Sequence, residues 1–347
     1  MQFTIDQDLG HLITGWTVLD NPAIVPQFQV MLDEDTELVV EANSQREDLR
    51  VLGWHTTGQC GLKLDEKLVP GLAGYASLEI REVTSGITIY RRFDGTRQVD
   101  SKLFFFDCSA MPQLRLINAI RGRFGHTYAN VERFAYDTIV NITFNIQARS
   151  IFIHGRPSFP RYSSLLRERQ YKTTCLLRDP LEEFAERLLF ASLVSRVPKF
   201  APLRRCFSGL EVLFELVQGL PDLDPDAVVA RIKALAPRDR ATLVNPLTKM
   251  LACNPDESAI RSHTATALDN LASFDLVGIR SHLPVFQDLL EQMLDVSALD
   301  SITFHEFTET PEVRDALRKH AVVREMVDLD MLVYDYAAKA IDEALTG

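Results

Sequence analysis

Along the first 95 residues, apolar side chains recur at every second position in short runs. Phe28, Val30 and Leu32 share one face of a segment, and Leu78 and Ile80 alternate with Glu79 and Arg81. A period of two with one apolar and one polar face is that of an antiparallel strand packed on one side. The pattern predicts strands over 11–18, 27–32, 37–41, 77–83 and 87–92. Turns fall at Asp20-Asn21-Pro22, Asp33-Glu34-Asp35 and Ser85-Gly86. Residues 1–95 are therefore expected to form an antiparallel β-sandwich-like module.

From about 100 the pattern changes. Apolar runs at 103–106, 150–154 and 173–177 are each followed by a helical stretch, at 111–124, 162–170 and 181–194. Strands alternating with helices predict a parallel sheet flanked by helices, and the uniformly apolar Cys175-Leu176-Leu177 suits a strand buried on both faces. Beyond about 201 the chain is helix-rich. Asp224-Pro225 and Thr310-Pro311-Glu312 read as helix starts with proline in the first turn. Asp222, Asp224 and Asp226 resemble a calcium loop in outline, but Pro225 and the missing twelfth-position glutamate assign them to capping. The expected fold class is α/β, with the β-module at 1–95 and an α/β domain at 96–347.

Composition narrows the function classes. The chain has 347 residues, 46% hydrophobic, and its longest apolar runs, such as 188–194, fall short of a membrane-crossing helix. It opens without a basic and apolar leader, which predicts a cytoplasmic location. Five cysteines without CxxC spacing argue against disulfides and against zinc. A net charge of −11 disfavours nucleic acid as a partner. Residues 147–206 nevertheless carry twelve Arg/Lys against five Asp/Glu, a local excess that would attract an anion.

The segment Leu177-Arg178-Asp179-Pro180-Leu181-Glu182 places an arginine between a buried strand and a capped helix. An arginine there can fork onto phosphate oxygens, or it can pair with helix carboxylates such as Glu182. His154, closing the strand before, can serve as a general base or as a structural hydrogen-bonder.

Leu177-Arg178-Asp179-Pro180 resembles the "LRDP" motif of carbohydrate sulfotransferases that use adenosine 3′-phosphate 5′-phosphosulfate (PAPS). Ile153-His154-Gly155-Arg156-Pro157-Ser158-Phe159 is similar to the "HGH-x-S-F" stretch of the heparan and uronyl 2-O-sulfotransferase branch, with Arg156 in place of the second histidine. Asn245-Pro246-Leu247-Thr248-Lys249 resembles the family's "N-x-x-T-R" block. Ala267-Leu268-Asp269-Asn270-Leu271 with Val277-Gly278 resembles its helix-to-strand passage. The likeness spans roughly residues 100–345. It implies a sulfotransferase fold with a P-loop-like parallel sheet, PAPS as donor, Arg178 on the 3′-phosphate, Ser109 in the donor loop and His154 as base. Arg156 and Arg161 would form part of a basic rim for a glycan, or a solvated face.

The chain also departs from the family. Where the donor loop carries lysine and glycine, it reads Asp107-Cys108-Ser109-Ala110-Met111-Pro112, and the arginine and serine that follow the LRDP arginine are replaced by Glu183 and Glu186. The β-module resembles small domains appended to bacterial surface-polysaccharide transferases, through Gly15-Trp16-Thr17, Arg46-Glu47-Asp48-Leu49 and His55-Thr56-Thr57-Gly58. Trp16, Trp54 and His55 could there stack on a sugar, or pack inward. Two functions follow as expectations: sulfuryl transfer to a glycan hydroxyl, or a catalytically inactive protein that binds an anionic or neutral glycan or a protein partner. No metal and no nucleophile are expected.

Overall fold

The computed structural model describes residues 1–32, 36–92, 99–109, 113–145, 148–220, 223–297, 299 and 302–346. The turn expected at Asp33-Glu34-Asp35, the boundary near residue 95, Asp222, and Ala110-Met111-Pro112 of the compared donor loop lie outside the described residues. The chain divides into two compact units: Met1–Lys102 with Arg123–Ile153, and Leu103–Gly122 with His154–Gly347.

Among the described residues of the N-terminal part there are eight strands: β1 Gln2–Asp8, β2 Leu12–Val18, β3 Gln27–Met31, β4 Glu37–Glu41, β5 Ser44–Gln45, β6 Gln59–Asp65, β7 Leu78–Glu82 and β8 Thr88–Arg92. They form two antiparallel sheets, ordered β1-β2-β6-β5 and β4-β3-β7-β8. Alternation sets the register: Phe28 and Val30 of β3 are buried, and Val30 faces Ile80 of β7 across the ladder. A one-residue slip would turn this whole face to water. The alternation does not mark β1, β5 and β6. In β6 the alternation is broken by Cys60-Gly61-Leu62, three consecutive buried residues, and Gly61 lies against the backbone of Ser44.

A five-stranded sheet adds β9 Lys102–Phe106, β10 His126–Ala129, β11 Ile151–Gly155, β12 Lys172–Leu177 and β13 Leu276–Ile279, in the order β10-β11-β9-β12-β13. β12 pairs in parallel with β9 (Cys175 beside Phe106) and with β13 (Leu176 beside Gly278). Phe104, Phe106, Cys175 and Leu177 are all fully buried, as a sheet covered on both faces requires. Gly278 is held to a hydrogen side chain by its neighbour, since a Cβ there would stand 2.3 Å from the Phe286 ring.

Helix Pro180–Arg196 follows β12 and is the axis of the helical part. Leu181, Phe184, Leu188, Ala191 and Val194 join Leu213, Leu216, Val229, Ile232 and Val323 in one core. Each large apolar side chain buried there contributes about 1.5–3 kcal/mol. Asp179 caps the helix, accepting from the N–H groups of Leu181 (2.8 Å) and Glu182 (3.1 Å). Asp224 caps Pro225–Ala234 likewise, accepting from Asp226 N–H at 3.2 Å. Thr310 does not cap as expected: it is the first residue of helix Thr310–Arg318, its hydroxyl buried without a hydrogen-bond partner. Helix Thr310–Arg318 is followed by a second helix, Ala321–Met326, which starts at the extended backbone of His320.

Candidate functional site

β9, β11, β12 and β13 bring Asp107, His154, Arg178 and Arg280 to their carboxyl ends, all within the second unit. The first strand of the sheet, β9, is central. β10 and β11 lie on one side of it, β12 and β13 on the other. In an open parallel sheet, the carboxyl edge beside such a reversal of strand order is where ligands bind.

Arg178 is committed to carboxylates. Its Nε donates to Glu182 Oε2 at 3.2 Å and its Nη1 donates to Glu186 Oε2. The Arg178 side chain is 9% exposed and that of Glu186 is 0% exposed. Glu182 also accepts from Arg314 Nη1, so it turns toward two arginines instead of closing the capping box back to Asp179. Burial works against the charge on Arg178, but Glu186 outweighs it and raises the guanidinium pKa above its ordinary value. Three residues before Glu186, burial pushes Glu183 up to about 7, against the attraction of Arg187 at 3.2 Å.

His154 is buried, 4% exposed, with Nε2 at 3.1 Å from Asp107 Oδ2 and its ring 5.9 Å from that of Phe105. Burial pushes the Asp107 carboxyl up, and His154 and Arg156 more than reverse this, holding it below the usual carboxylate value. Ser109 donates its backbone N–H to Asp107 Oδ1 at 2.9 Å, folding the start of the compared loop onto a negative charge. A hydrogen bond with Cys175, together with burial, pushes the Cys108 thiol well above its ordinary value, which disfavours the thiolate.

Arg156 donates from Nη2 to Cys206 O at 2.6 Å, and Arg161 lies on the exposed side of helix Phe159–Glu168. The aromatic candidates lie in the first unit and separate by burial. Trp16 and His55 are 8% and 1% exposed, and His55 accepts at Nδ1 from Gly58 N–H at 3.0 Å, which makes it a turn-holding residue. Trp54 is exposed, its ring 5.9 Å from that of Trp16, and Val51 and Leu52 beside it are exposed too.

The chain matches no family model and no curated protein.

Two further groups carry no sequence motif of their own. Arg280, at the end of β13, donates to Glu306 Oε1 at 3.0 Å, and its buried Nε has no hydrogen-bond partner. Burial and the nearby Arg178 lower its pKa, so two guanidiniums share this edge. The only available signal was an arginine directly after a short apolar strand. Cys253, Glu257 and His263 form a possible metal donor set among the described residues. His263 Nδ1, however, lies 3.3 Å from Cys253 Sγ and accepts from Ile260 N–H at 3.1 Å, while Nε2 faces Glu257 at 3.2 Å. Both ring nitrogens are thus engaged in closing a loop. No described helix is long and apolar enough to cross a membrane.

The "N-x-x-T-K" block has a structural part to play. Asn245 donates from Nδ2 to Asp328 at 2.9 Å, and buried Asp330 accepts from Leu247 N–H (3.0 Å), Thr248 N–H (2.7 Å) and Thr248 Oγ1 (2.7 Å). The block therefore ties helix Pro246–Ala252 to helix Asp328–Thr346.

Proposed function

We propose that this chain is a sulfotransferase-like protein whose donor site is filled by its own carboxylates, and that it acts by binding glycan without transferring a sulfuryl group. One observation carries the reading: the arginine that the LRDP resemblance assigns to a 3′-phosphate already has Glu186 and Glu182 on its donors. A like charge brought to about 4–5 Å from Glu186 would cost about 3–4 kcal/mol at an effective dielectric near 20. Asp107, ionised beside His154, opposes the 5′-phosphosulfate of PAPS in the same way. The central position of β9 and the alternation of strands and helices support kinship with the sulfotransferase fold. The exposed Trp54, Val51 and Leu52 supply a surface on which a pyranose face can stack, which supports glycan as the ligand.

A second reading, sulfuryl transfer with His154 as base, is favoured by the Asp107–His154 pair, because a carboxylate that orients an imidazole is what a general base requires. A transfer assay with PAPS and a panel of bacterial polysaccharides separates the two. Polysaccharide binding without release of adenosine 3′,5′-bisphosphate is expected. Steady release that disappears in His154→Ala would establish the second reading instead.

A further inference from the structure

The first unit carries an open cavity of about 520 Å³ lined by β1, β8, His126 and the end of helix Tyr136–Thr143. Its volume lies within the range of about 300–1,000 Å³ of small-ligand pockets. Phe3, Ile5, Ile89 and Phe144 supply apolar surface.

The charges on the wall are already compensated. Arg92 donates from Nε and Nη2 to Asp8 (2.7 and 2.6 Å), from Nη1 to Leu72 O and Tyr75 O (2.8 and 3.1 Å), and from Nη2 to Gly10 O (2.8 Å). These bonds use every N–H of the guanidinium. Asp8 also accepts from Tyr90 Oη at 2.5 Å. Arg91 pairs with Glu79 at 2.7 Å and donates to Gly125 O at 3.2 Å. An anion would find no spare cation.

Asn141 and His126 are among the neutral polar groups on the wall. Asn141 accepts from Phe3 N–H at Oδ1 (3.0 Å), which leaves its amide N–H groups uncommitted among the described residues. His126 is 7% exposed, and its Nε2 has no hydrogen-bond partner. Burial, helped by Arg91, lowers its pKa to about 4 and keeps the ring neutral.

We infer that this cavity binds a neutral saccharide unit, its apolar ring face against Phe3 and Phe144 and its hydroxyls on Asn141 and His126. Buried apolar surface with a few uncharged donors and acceptors matches a pyranose, which presents CH groups on its faces and hydroxyls at its rim. The inference rests on the glycan-binding reading and gives it a site distinct from Trp54.

Saturation-transfer-difference NMR on the full chain tests it, with glucose, galactose, mannose and N-acetylglucosamine as probes and glucuronate as the charged comparator. Transfer to at least one neutral sugar is expected, unchanged between low and high salt because no ion pair forms. Gln7→Trp, at an exposed position on the cavity wall, is expected to abolish it. Asn141→Asp keeps the acceptor for Phe3 N–H and removes the amide donor, and is expected to weaken binding by about tenfold. Transfer retained by both variants, or binding of glucuronate alone, overturns the inference, as does no transfer from any neutral sugar. Loss in Trp54→Ala with retention in the two cavity variants overturns the inference and leaves the glycan-binding reading standing. That reading falls only if polysaccharide binding is absent as well.

Discussion

The Glu186 carboxylate lies wholly buried against the Arg178 guanidinium, where the sequence resemblance would place a nucleotide phosphate. Because Glu186 is cut off from water and Arg178 nearly so, the pair behaves as a unit. Glu186→Ala, which leaves the Arg178 guanidinium with Glu182 as its remaining carboxylate, is expected to cost about 1–3 kcal/mol by chemical denaturation. The double variant Arg178→Met/Glu186→Leu is expected to lie within about 2 kcal/mol of the parent. Losses that simply add would show that the two side chains are not energetically coupled.

Glu183 gives a pH dependence of defined sign. Its folded value of about 7 exceeds the ordinary 4.5, so the fold holds the proton more tightly than the unfolded chain does. That stability is complete below pH 4.5 and lost as the pH rises through 7. His126, lowered from 6.5 to about 4, contributes the opposite slope, complete above 6.5 and lost as the pH falls through 4. The difference between parent and Glu183→Gln isolates the first effect. The parent is expected to lose up to about 3 kcal/mol relative to the variant between acid and neutral pH. Parallel stability curves would refute the assignment.

Gly278→Ala forces a methyl group toward the Phe286 ring, 2.3 Å away before relaxation. A loss of about 1–3 kcal/mol is expected, partly recovered when Phe286→Leu is added. An unchanged melting temperature in the single variant would show that β13 and helix Leu283–Leu294 give way more easily than their packing indicates.

Asp330→Ala leaves the N–H groups of Leu247 and Thr248 without their acceptor. Two buried donors without partners correspond to about 2–4 kcal/mol, and amide exchange at Leu247 and Thr248 is expected to accelerate with the loss of stability. Protection equal to the parent's would contradict the anchoring role.

The fold was legible where one periodicity acted alone. β3 and β7 alternate cleanly, and the apolar run before Arg178 became β12. β1 was hidden because Phe3 and Ile5 are the only apolar residues that mark its buried face before the exposed Gln7, and β10 because four residues with a buried histidine are too few to show a period. Helix Pro180–Arg196 was visible through its length and its aspartate-proline start, although it buries Glu183, Glu186 and Arg187 among apolar neighbours. In the site, Arg178 and His154 were marked by their places at strand ends, and Asp107 only as a departure from the compared donor loop. Which partner Arg178 takes was not legible, because Glu182 and Glu186 lie one and two helical turns on, and only packing decides which of them reaches back. The cavity of the first unit was invisible for a similar reason: Phe3, Tyr90, His126 and Asn141 are brought together by tertiary structure alone.

The most direct test of the filled donor site is isothermal titration calorimetry with adenosine 3′,5′-bisphosphate, run on the parent chain and on Arg178→Ala. No heat of binding is expected from either protein at millimolar nucleotide. Micromolar binding by the parent that is lost in Arg178→Ala would show that the guanidinium leaves Glu186 for a phosphate, and would contradict the account.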